Sequence, residues 1–420
     1  MGGLKVRIVL RRMAAMLLAA AAFGAVSTAS AEDVGELEVV HSWTSAGEAA
    51  ALAVIVEEFE KAGGKWVDTA VAGIEAMQTL ALNRILGGNP PGSVKYVAGP
   101  QMDNLVEAGM LRTLDDVAAE GRWSEVLPQA FLDAITREGH IYAVPVHNHG
   151  QNWMWYSKEV LAKSGVTEVP NNWDDFFAAM DKVKAAGYIP IAVAGQRWLE
   201  QVVFNNVLIS AAGRDTYLSI FRDLDVEAVR SPEFRKAAEI FGRMRDYLDP
   251  GFPGRSWNNT FNLILTNQAA VQFIGDFVKG EILAAGQTPG VEVGCQLTMD
   301  GSTFIISGDT FVFPKIDDPR VRAAQDLLAK TIVAAETQVP FSRLKGSVPI
   351  RTDVDTSSLD QCAQAGIAVL SNPEAQVPTP EMLITPAMRG MMQDAISSFL
   401  NDSSMTVDEF IEEFAHAVEG

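Results

Sequence analysis

The chain has 420 residues, a length that allows two or three domains with separate cores. Its 53 acidic residues outnumber its 33 basic ones, and the formal net charge is −20. This charge disfavours binding to nucleic acid or to an anionic membrane, because contacts with phosphate groups require clustered Lys and Arg.

The N-terminus has the three-part pattern of a secretory signal peptide, which we predict to cover residues 1–31. Basic residues precede an apolar run at 13–26, and the small residues 29–31 follow it. A membrane anchor is the alternative, but the run is shorter than the roughly 20 apolar residues that a span requires. The sequence therefore predicts export to the periplasm, and it does not decide between the Sec and Tat routes.

The chain contains two cysteines, Cys295 and Cys362. In an exported protein such a pair favours a disulfide bond, with free buried thiols as the alternative. Two cysteines so far apart in sequence cannot form a zinc ribbon or a CxxC redox motif.

After the leader, short apolar runs alternate with segments of helical periodicity. The first helix begins with Ser45-Ala46-Gly47-Glu48, the pattern of a capping box. Such alternation predicts α/β domains with mostly parallel sheets, whose ligand sites lie at the carboxyl ends of the strands. The expected strands are 37–40, 67–71, 93–97 and 189–193, and the expected helices are 45–62, 76–86, 102–108 and 173–186.

Two further strand-like segments, 142–146 and 304–313, each lie between regions that read as complete α/β units. This position predicts crossings between two lobes that close by a hinge. The expected N-terminal lobe comprises 32–143 plus about 304–343, and the C-terminal lobe comprises 144–303 plus about 344–420.

The segment VPVHNHGQNWMWYSKEVL, residues 144–161, is rich in histidine and aromatic residues. His147 and His149 fall on one face of an extended strand. A zinc site requires three or four ligands, and the other histidines have no ligand spacing, so we expect hydrogen-bonding histidines and no metal site. The sequence also lacks a Gly-x-Ser-x-Gly elbow and phosphate-binding glycine loops, and no cofactor is predicted.

Aromatic and polar residues occur together where predicted strands end. Trp43 follows the first strand, Trp198 follows the strand at 189–193, and Phe277 follows an apolar run at 269–274. An aromatic ring can stack on the C–H face of a sugar, while carboxylates and amides bind its hydroxyl groups. This combination favours a carbohydrate as the ligand, with core packing as the alternative for each ring.

These features occur within motifs found along nearly the whole chain. By them the sequence resembles the extracellular solute-binding proteins of family 1, which are receptors of sugar ABC transporters, and most closely their glucose/mannose-binding branch. The motifs are SWTSAGE (42–48), LGGNPPG (86–92), AVPVHNHGQNWMWY (143–156), VPNNWDDF (169–176), GDF (275–277), GDTFVFPK (308–315) and FSRLKGSVP (341–349).

The resemblance implies a type II periplasmic-binding-protein fold, with two α/β lobes, hinge crossings and a ligand cleft between the lobes. It makes Trp43 the aromatic platform for the sugar, Glu48 an acceptor from a hydroxyl group and Trp198 the opposing wall. Asp276 would support the site. Phe277 stands where the branch commonly has a stacking Trp.

The same resemblance implies that Asp309 and Lys345 are the charged partners of the sugar hydroxyls, with His149 and Asn152 in the segment beside the hinge. Two positions depart from the branch: 97–101 lacks a basic or imidazole side chain, and 383–386 lacks a His-Gly pair. Both departures remove a polar contact, so a sugar other than glucose is compatible with the sequence.

We therefore predict a monomeric, non-enzymatic periplasmic receptor that delivers a mono- or oligosaccharide, first of all a glucose-like aldose, to the membrane permease subunits of an ABC transporter. One alternative is a secreted carbohydrate-active enzyme, such as a glycosidase or lyase. The other is a receptor of the same fold for a non-sugar solute, such as a polyamine or an iron chelate.

Overall fold

The computed structural model describes residues 34–297, 299 and 301–420. The predicted signal peptide, residues 1–31, lies outside this described part. Within it, none of the helices combines the length and the apolar character needed to cross a bilayer.

The alternation of strands and helices expected from the sequence is present, and the ends of the expected elements are shifted by at most two residues. The strands are β1 (Glu36–His41), β2 (Lys65–Ala70), β3 (Ser93–Val97), β4 (Thr136–Arg137), β5 (His140–Ile141), β6 (Ala143–Pro145), β7 (His147–Gly150), β8 (Trp153–Ser157), β9 (Ile189–Ile191), β10 (Ala269–Ile274), β11 (Val293–Leu297), β12 (Phe304–Ser307), β13 (Asp309–Val312), β14 (Val348–Pro349) and β15 (Gln376–Pro378).

The helices fill the intervals between these strands, and 3₁₀ turns occur at 100–102, 245–247, 252–254 and 373–375. The α-helices are α1 (Ala46–Lys61), α2 (Ile74–Leu86), α3 (Asp103–Glu107), α4 (Asp115–Glu120), α5 (Trp123–Val126), α6 (Gln129–Ile135), α7 (Lys158–Lys163), α8 (Trp173–Ala185), α9 (Arg197–Phe221), α10 (Val226–Val229), α11 (Pro232–Met244), α12 (Trp257–Leu265), α13 (Val278–Ala284), α14 (Pro319–Val333), α15 (Ala335–Lys345), α16 (Gln361–Leu370), α17 (Pro380–Leu383), α18 (Pro386–Asn401) and α19 (Val407–Glu419).

The N-terminal lobe is built on a five-stranded sheet with the order β2-β1-β3-β13-β6. β1 pairs in parallel with β2 and β3, whereas β13 is antiparallel to both β3 and β6. Helix α1 begins with the predicted capping box: Ser45 Oγ accepts from Glu48 N–H, and the Glu48 side chain accepts from Ser45 N–H. This cap fixes the turn between β1 and α1, where Trp43 lies.

The C-terminal lobe is built on the four-stranded sheet β11-β8-β10-β9, in which β8 is antiparallel to β10 and β11. A third sheet has the strand order β14-β7-β12-β15. The run 304–313, which we expected to be one strand, is two strands in two sheets, separated at Gly308. The residue limits proposed for the lobes from the sequence stay predictions.

Cys295 in β11 and Cys362 in α16 form a disulfide bond, as predicted, with their Cα atoms 6.1 Å apart. The bond ties a C-terminal helix to the edge strand of the C-terminal sheet. Asp360 caps the N-terminus of the same helix by accepting from the backbone N–H of Ala363.

Candidate functional site

Trp43 lies in the turn after β1, at the carboxyl end of a parallel strand, where α/β folds place ligand sites. Its side chain is buried against Phe311 and Phe341, with ring centroids 5.7 and 5.8 Å away. The indole N–H donates to Asp309 Oδ2 at 3.1 Å. One edge of the ring is therefore fixed by the first residue of β13.

Asp309 is the centre of a buried polar network. Lys95 Nζ in β3 lies 2.7 Å from its Oδ1, and His147 Nε2 in β7 lies 3.2 Å from its Oδ2. Because β13 pairs with β3, Asp309 lies directly opposite Val97, and Lys95 is two residues away on the same face. The register of β13 against β3 thus brings the Asp309 carboxylate next to the Lys95 ammonium group.

Lys345 ends α15 and is only 3 % exposed. Its Nζ lies 3.5 Å from Glu48 Oε1 and 5.6 Å from the ring centroids of both Trp43 and Phe277. Gly346, with φ of +87°, follows directly as the left-handed cap that glycine favours and ends the helix at this point. Lys345 thereby lies between aromatic groups that come from the two lobes.

Asp276 follows β10 and is buried at the inner end of the C-terminal lobe. It forms a very short hydrogen bond with His149 Nδ1, and its second oxygen accepts from Gly150 N–H at 2.8 Å. One turn later, the buried Lys279 lies 3.2 Å from Asp360, next to the disulfide. Both pairs fasten the start of α13 to neighbouring segments.

The second aromatic wall consists of Phe277, Trp198 and Trp257. The centroid of Phe277 lies 6.2 Å from that of Trp198 and 5.2 Å from that of Trp257. All three side chains are half-buried. The ring of Trp198 contacts Phe277, and Phe277 in turn lies 5.6 Å from Lys345 Nζ, so Trp198 lies at one side of the residues around Trp43.

Other residues predicted from the 144–161 segment lie elsewhere. The Asn152 side chain is fully buried: it donates to Thr303 O and accepts from Ile305 N–H, both at 2.7 Å. Trp153 and Trp155 are 1 % and 0 % exposed and pack in the core below the C-terminal sheet. Asn152 therefore holds the crossing segments together, and the two tryptophans are core residues.

The buried polar groups around Asp309 and Asp276, together with Trp43, Glu48, Lys345 and Phe277, are called the cluster below. Burial determines the protonation states of its titratable groups. It lowers the pKa of His147 to about 3, and it acts with Lys345 to hold the pKa of His149 well below the usual value. For Asp309, burial alone would raise the pKa, but Lys95 and the His147 hydrogen bond outweigh it and hold the pKa well below the usual value. At neutral pH the cluster thus contains an ionised Asp309 beside two neutral imidazoles.

Asp276 has the opposite shift, because burial raises its pKa to about 7 against the opposing effect of Lys279. A carboxyl group whose pKa is raised on folding stabilises the fold below its unfolded pKa, and this contribution is lost as the pH rises towards 7.

The variant Asp276→Asn has an uncharged side chain at every pH. As the pH rises from 5 to 8, we expect the unfolding free energy of wild type to fall by roughly 2 kcal/mol relative to that of the variant. Denaturant titrations at pH 5, 6.5 and 8 measure this, and parallel pH curves for the two proteins would contradict it.

Ligand atoms of His147, His149 and Asp309 lie within 4.8 Å of one another, a grouping that the two-histidine pattern alone does not reveal. Asp309 is already bonded to Lys95, and His149 to Asp276. A cation at this point would also meet the charge of the buried Lys345. In the structure, His147 bonds to Asp309 and His149 to Asp276, so the imidazoles take part in an internal hydrogen-bond network.

Sequence reasoning missed four residues of the cluster and its border: Lys95, His147 as a partner of Asp309, Lys279 and Trp257. Lys95 lies inside a strand and has no local signal in the sequence; it supplies a basic side chain just before 97–101, where the resemblance implies one. Trp257 begins α12 directly after a Ser, a position that a search for aromatic residues at helix starts would have found.

Residues 42–318 match the family of bacterial extracellular solute-binding proteins. The chain is 36 % identical over 401 residues to a probable sugar-binding periplasmic protein of Mesorhizobium japonicum, covering 93 % of this chain and 95 % of that protein. A probable sugar-binding periplasmic protein of Brucella melitensis biotype 1 is 38 % identical over 367 residues, covering 86 % of each. A solved chitin oligosaccharide binding protein superposes with a TM-score of 0.78 at 19 % identity, covering 92 % of this chain and 98 % of that one.

The likeness to that structure confirms the two-lobe type II fold. The residues matched to the family include Trp43, Lys95, Asp276 and Asp309. This chain belongs to the family of bacterial extracellular solute-binding proteins.

Proposed function

We propose that this protein is a periplasmic receptor for a neutral sugar, which it delivers to the membrane permease of an ABC transporter. The relatives from Mesorhizobium and Brucella are named as probable sugar-binding periplasmic proteins, which supports the ligand class and the compartment. A glucose-like aldose is the first candidate among mono- and oligosaccharides. The protein acts as a monomer that meets the permease transiently.

The observation that carries the proposal is the arrangement around Trp43. A large aromatic ring is bordered by two ion pairs, Lys95–Asp309 and Lys345–Glu48, which come from four separate elements. Carboxylates accept from sugar hydroxyls and ammonium groups donate to them, while the ring face contacts the C–H groups of the sugar. Hydrogen bonds to charged groups contribute about 1.5–3 kcal/mol each, so a few are enough for micromolar binding after the cost of association.

The charge balance of the cluster favours an uncharged ligand. Each of the buried lysines 95, 279 and 345 faces a carboxylate, and the two imidazoles are neutral at neutral pH. Burial raises the pKa of Asp276 to about 7, so this carboxyl group carries only part of a negative charge there. A polyamine or an anionic chelate would leave an unbalanced charge in a desolvated cleft, which costs several kcal/mol. The proposal of a neutral polyhydroxylated ligand is therefore preferred to the non-sugar alternative.

Binding, without turnover, is the activity of this family, so the alternative of a secreted carbohydrate-active enzyme has no support. The receptor works by closure: a sugar held by groups of both lobes binds the closed form more tightly than the open form and shifts the population towards it. The permease then recognises the closed form and takes up the sugar when the lobes open.

A thermal-shift panel of monosaccharides, disaccharides and sugar acids tests this proposal. We expect a neutral sugar to raise the Tm by a few degrees, since a ligand at 100 times its Kd adds about 2.7 kcal/mol to the unfolding free energy. Trp43→Ala should remove this shift. Trp66→Ala, which changes a tryptophan on the edge strand β2, is the matched control and should keep the shift. A panel in which no neutral sugar raises the Tm would contradict the proposal.

A further inference from the structure

Three helices meet at one point beside the cluster, and the contact is made by glycine. Gly47 lies in the first turn of α1, and Gly280 lies in α13. A Cβ atom added to Gly47 would lie 2.7 Å from the carbonyl carbon of Gly280. One added to Gly280 would lie 2.9 Å from the carbonyl oxygen of Leu344 in α15 and 3.2 Å from the Cα of Gly47. Backbone atoms cannot move aside as a flexible side chain can, so this approach requires glycine on both sides.

The contact joins the two lobes. Helix α1 follows β1 of the N-terminal sheet, whereas α13 follows β10 of the C-terminal sheet. Beside the glycines, Glu281 Oε1 accepts a hydrogen bond of 3.3 Å from the backbone N–H of Gly47. The first N–H groups of a helix have no partner within the helix, and a carboxylate there is also favoured by the helix dipole. Glu281 of the C-terminal lobe thus supplies the hydrogen-bond acceptor for the N–H of Gly47, which has no acceptor within its own helix.

The residues proposed to bind the ligand are neighbours of this contact in sequence. Glu48 follows Gly47, Lys345 follows Leu344, and Phe277 precedes Gly280 by less than one turn of helix. The distance between the three helices at the glycines therefore fixes the distance between Glu48, Lys345 and Phe277. A change of about 1 Å in this spacing is enough to spoil hydrogen bonds to a bound sugar, because hydrogen bonds weaken steeply beyond about 3.2 Å.

We propose that the Gly47–Gly280 contact is the stop that sets how far the two lobes close, and that the Glu281 hydrogen bond to Gly47 holds them in that position. The proposal builds on the proposed function, because closure is taken to enclose a sugar. The two glycines and Glu281 are positioning residues: they act through the spacing of Glu48, Lys345 and Phe277. A side chain at the contact keeps the lobes apart and lowers the population of the closed form.

Gly280→Ala tests the stop. The added methyl group meets backbone on two sides, so we expect at least a tenfold increase in the Kd for the sugar found in the thermal-shift panel, with D-glucose as the first probe, which corresponds to about 1.4 kcal/mol. Small-angle X-ray scattering should show a smaller ligand-induced decrease in the radius of gyration than in wild type. The matched control is Gly390→Ala in α18, where an added Cβ meets nothing within 4 Å. This variant should have the wild-type Kd and the wild-type ligand-induced decrease in the radius of gyration.

The proposal would be overturned if Gly280→Ala had the wild-type sugar affinity and the wild-type ligand-induced decrease in the radius of gyration. If this variant does not fold, as judged by circular dichroism, Glu281→Ala decides, since it leaves the glycines in place and removes the acceptor. We expect a Kd two- to fivefold higher than in wild type. An unchanged Kd in Glu281→Ala would then count against the proposed contact.

A failure of the proposed function can be told apart from a failure of this proposal. If no sugar binds wild type, the distance between the lobes is measured without ligand, by electron paramagnetic resonance on spin labels at Glu75→Cys in α2 and Glu239→Cys in α11, both exposed positions. The stop predicts that the shortest distances of the wild-type distribution are missing in Gly280→Ala. Identical distributions in the two proteins would overturn it whatever the ligand is.

Discussion

Asp309→Ala is expected to abolish sugar binding and to lower the free energy of unfolding by about 3–5 kcal/mol, the cost of removing one partner from a buried ion pair. The substitution leaves Lys95 Nζ, His147 Nε2 and the Trp43 indole N–H without the acceptor that now lies 2.7 to 3.2 Å away. Lys95 is only 3 % exposed, so water cannot replace the carboxylate without rearrangement. Calorimetry with the sugar and urea unfolding without it measure the two effects separately.

The matched control is Asp326→Ala. Asp326 also forms an ion pair in the N-terminal lobe, 2.6 Å from Arg112, but its side chain is 37 % exposed. Ion pairs at the surface contribute at most about 1 kcal/mol, so this variant should remain near wild type in stability and bind sugar normally. Equal losses in Asp309→Ala and Asp326→Ala would show that the buried network has no special role.

Much of the fold could be predicted because its signals are local. The capping box at Ser45 and Glu48 marks the start of α1, and the apolar runs mark the strands of both lobes. The residues at the ends of those strands follow from the rule that parallel strands place ligand groups at their carboxyl ends. Trp43 and Asp276 were predicted in this way, with help from the motifs in which they lie.

The partners of these residues could not be predicted, because they depend on sheet register. Trp43 and Asp309 are 266 residues apart in sequence, and a single sequence gives no sign that they share a hydrogen bond. Lys95 lies within β3, between Val94 and Tyr96, and belongs to none of the motifs that mark the site. The pairing of β13 with β3 brings it to Asp309. The break at Gly308 was missed for a similar reason, since two strands in line read as one apolar run.

The double variant Cys295→Ser/Cys362→Ser is expected to lose about 4 kcal/mol of unfolding free energy, since cross-linking a loop of this length removes that much entropy from the unfolded chain. The bond closes an interval of 67 residues that runs through β12, β13, α14, α15 and β14 before it reaches α16. Without it the unfolded chain gains freedom over the whole interval. Urea unfolding of the variant, compared with oxidised wild type and with wild type refolded in reducing buffer, measures the loss.

The reduced wild type should match the double-serine variant, and a reducing agent should leave the variant unchanged. Sugar affinity is a separate readout. The disulfide holds α16, whose capping residue Asp360 pairs with Lys279 one turn after Asp276. The lysine and histidine side chains that are ion-paired or hydrogen-bonded with Asp309 and Glu48 belong to β3, β7 and α15, outside α16. We therefore expect the Kd to rise by less than tenfold at temperatures where the variant is folded. A variant as stable as oxidised wild type would mean that the unfolded chain is already compact between Cys295 and Cys362, so that the bond removes little entropy from it.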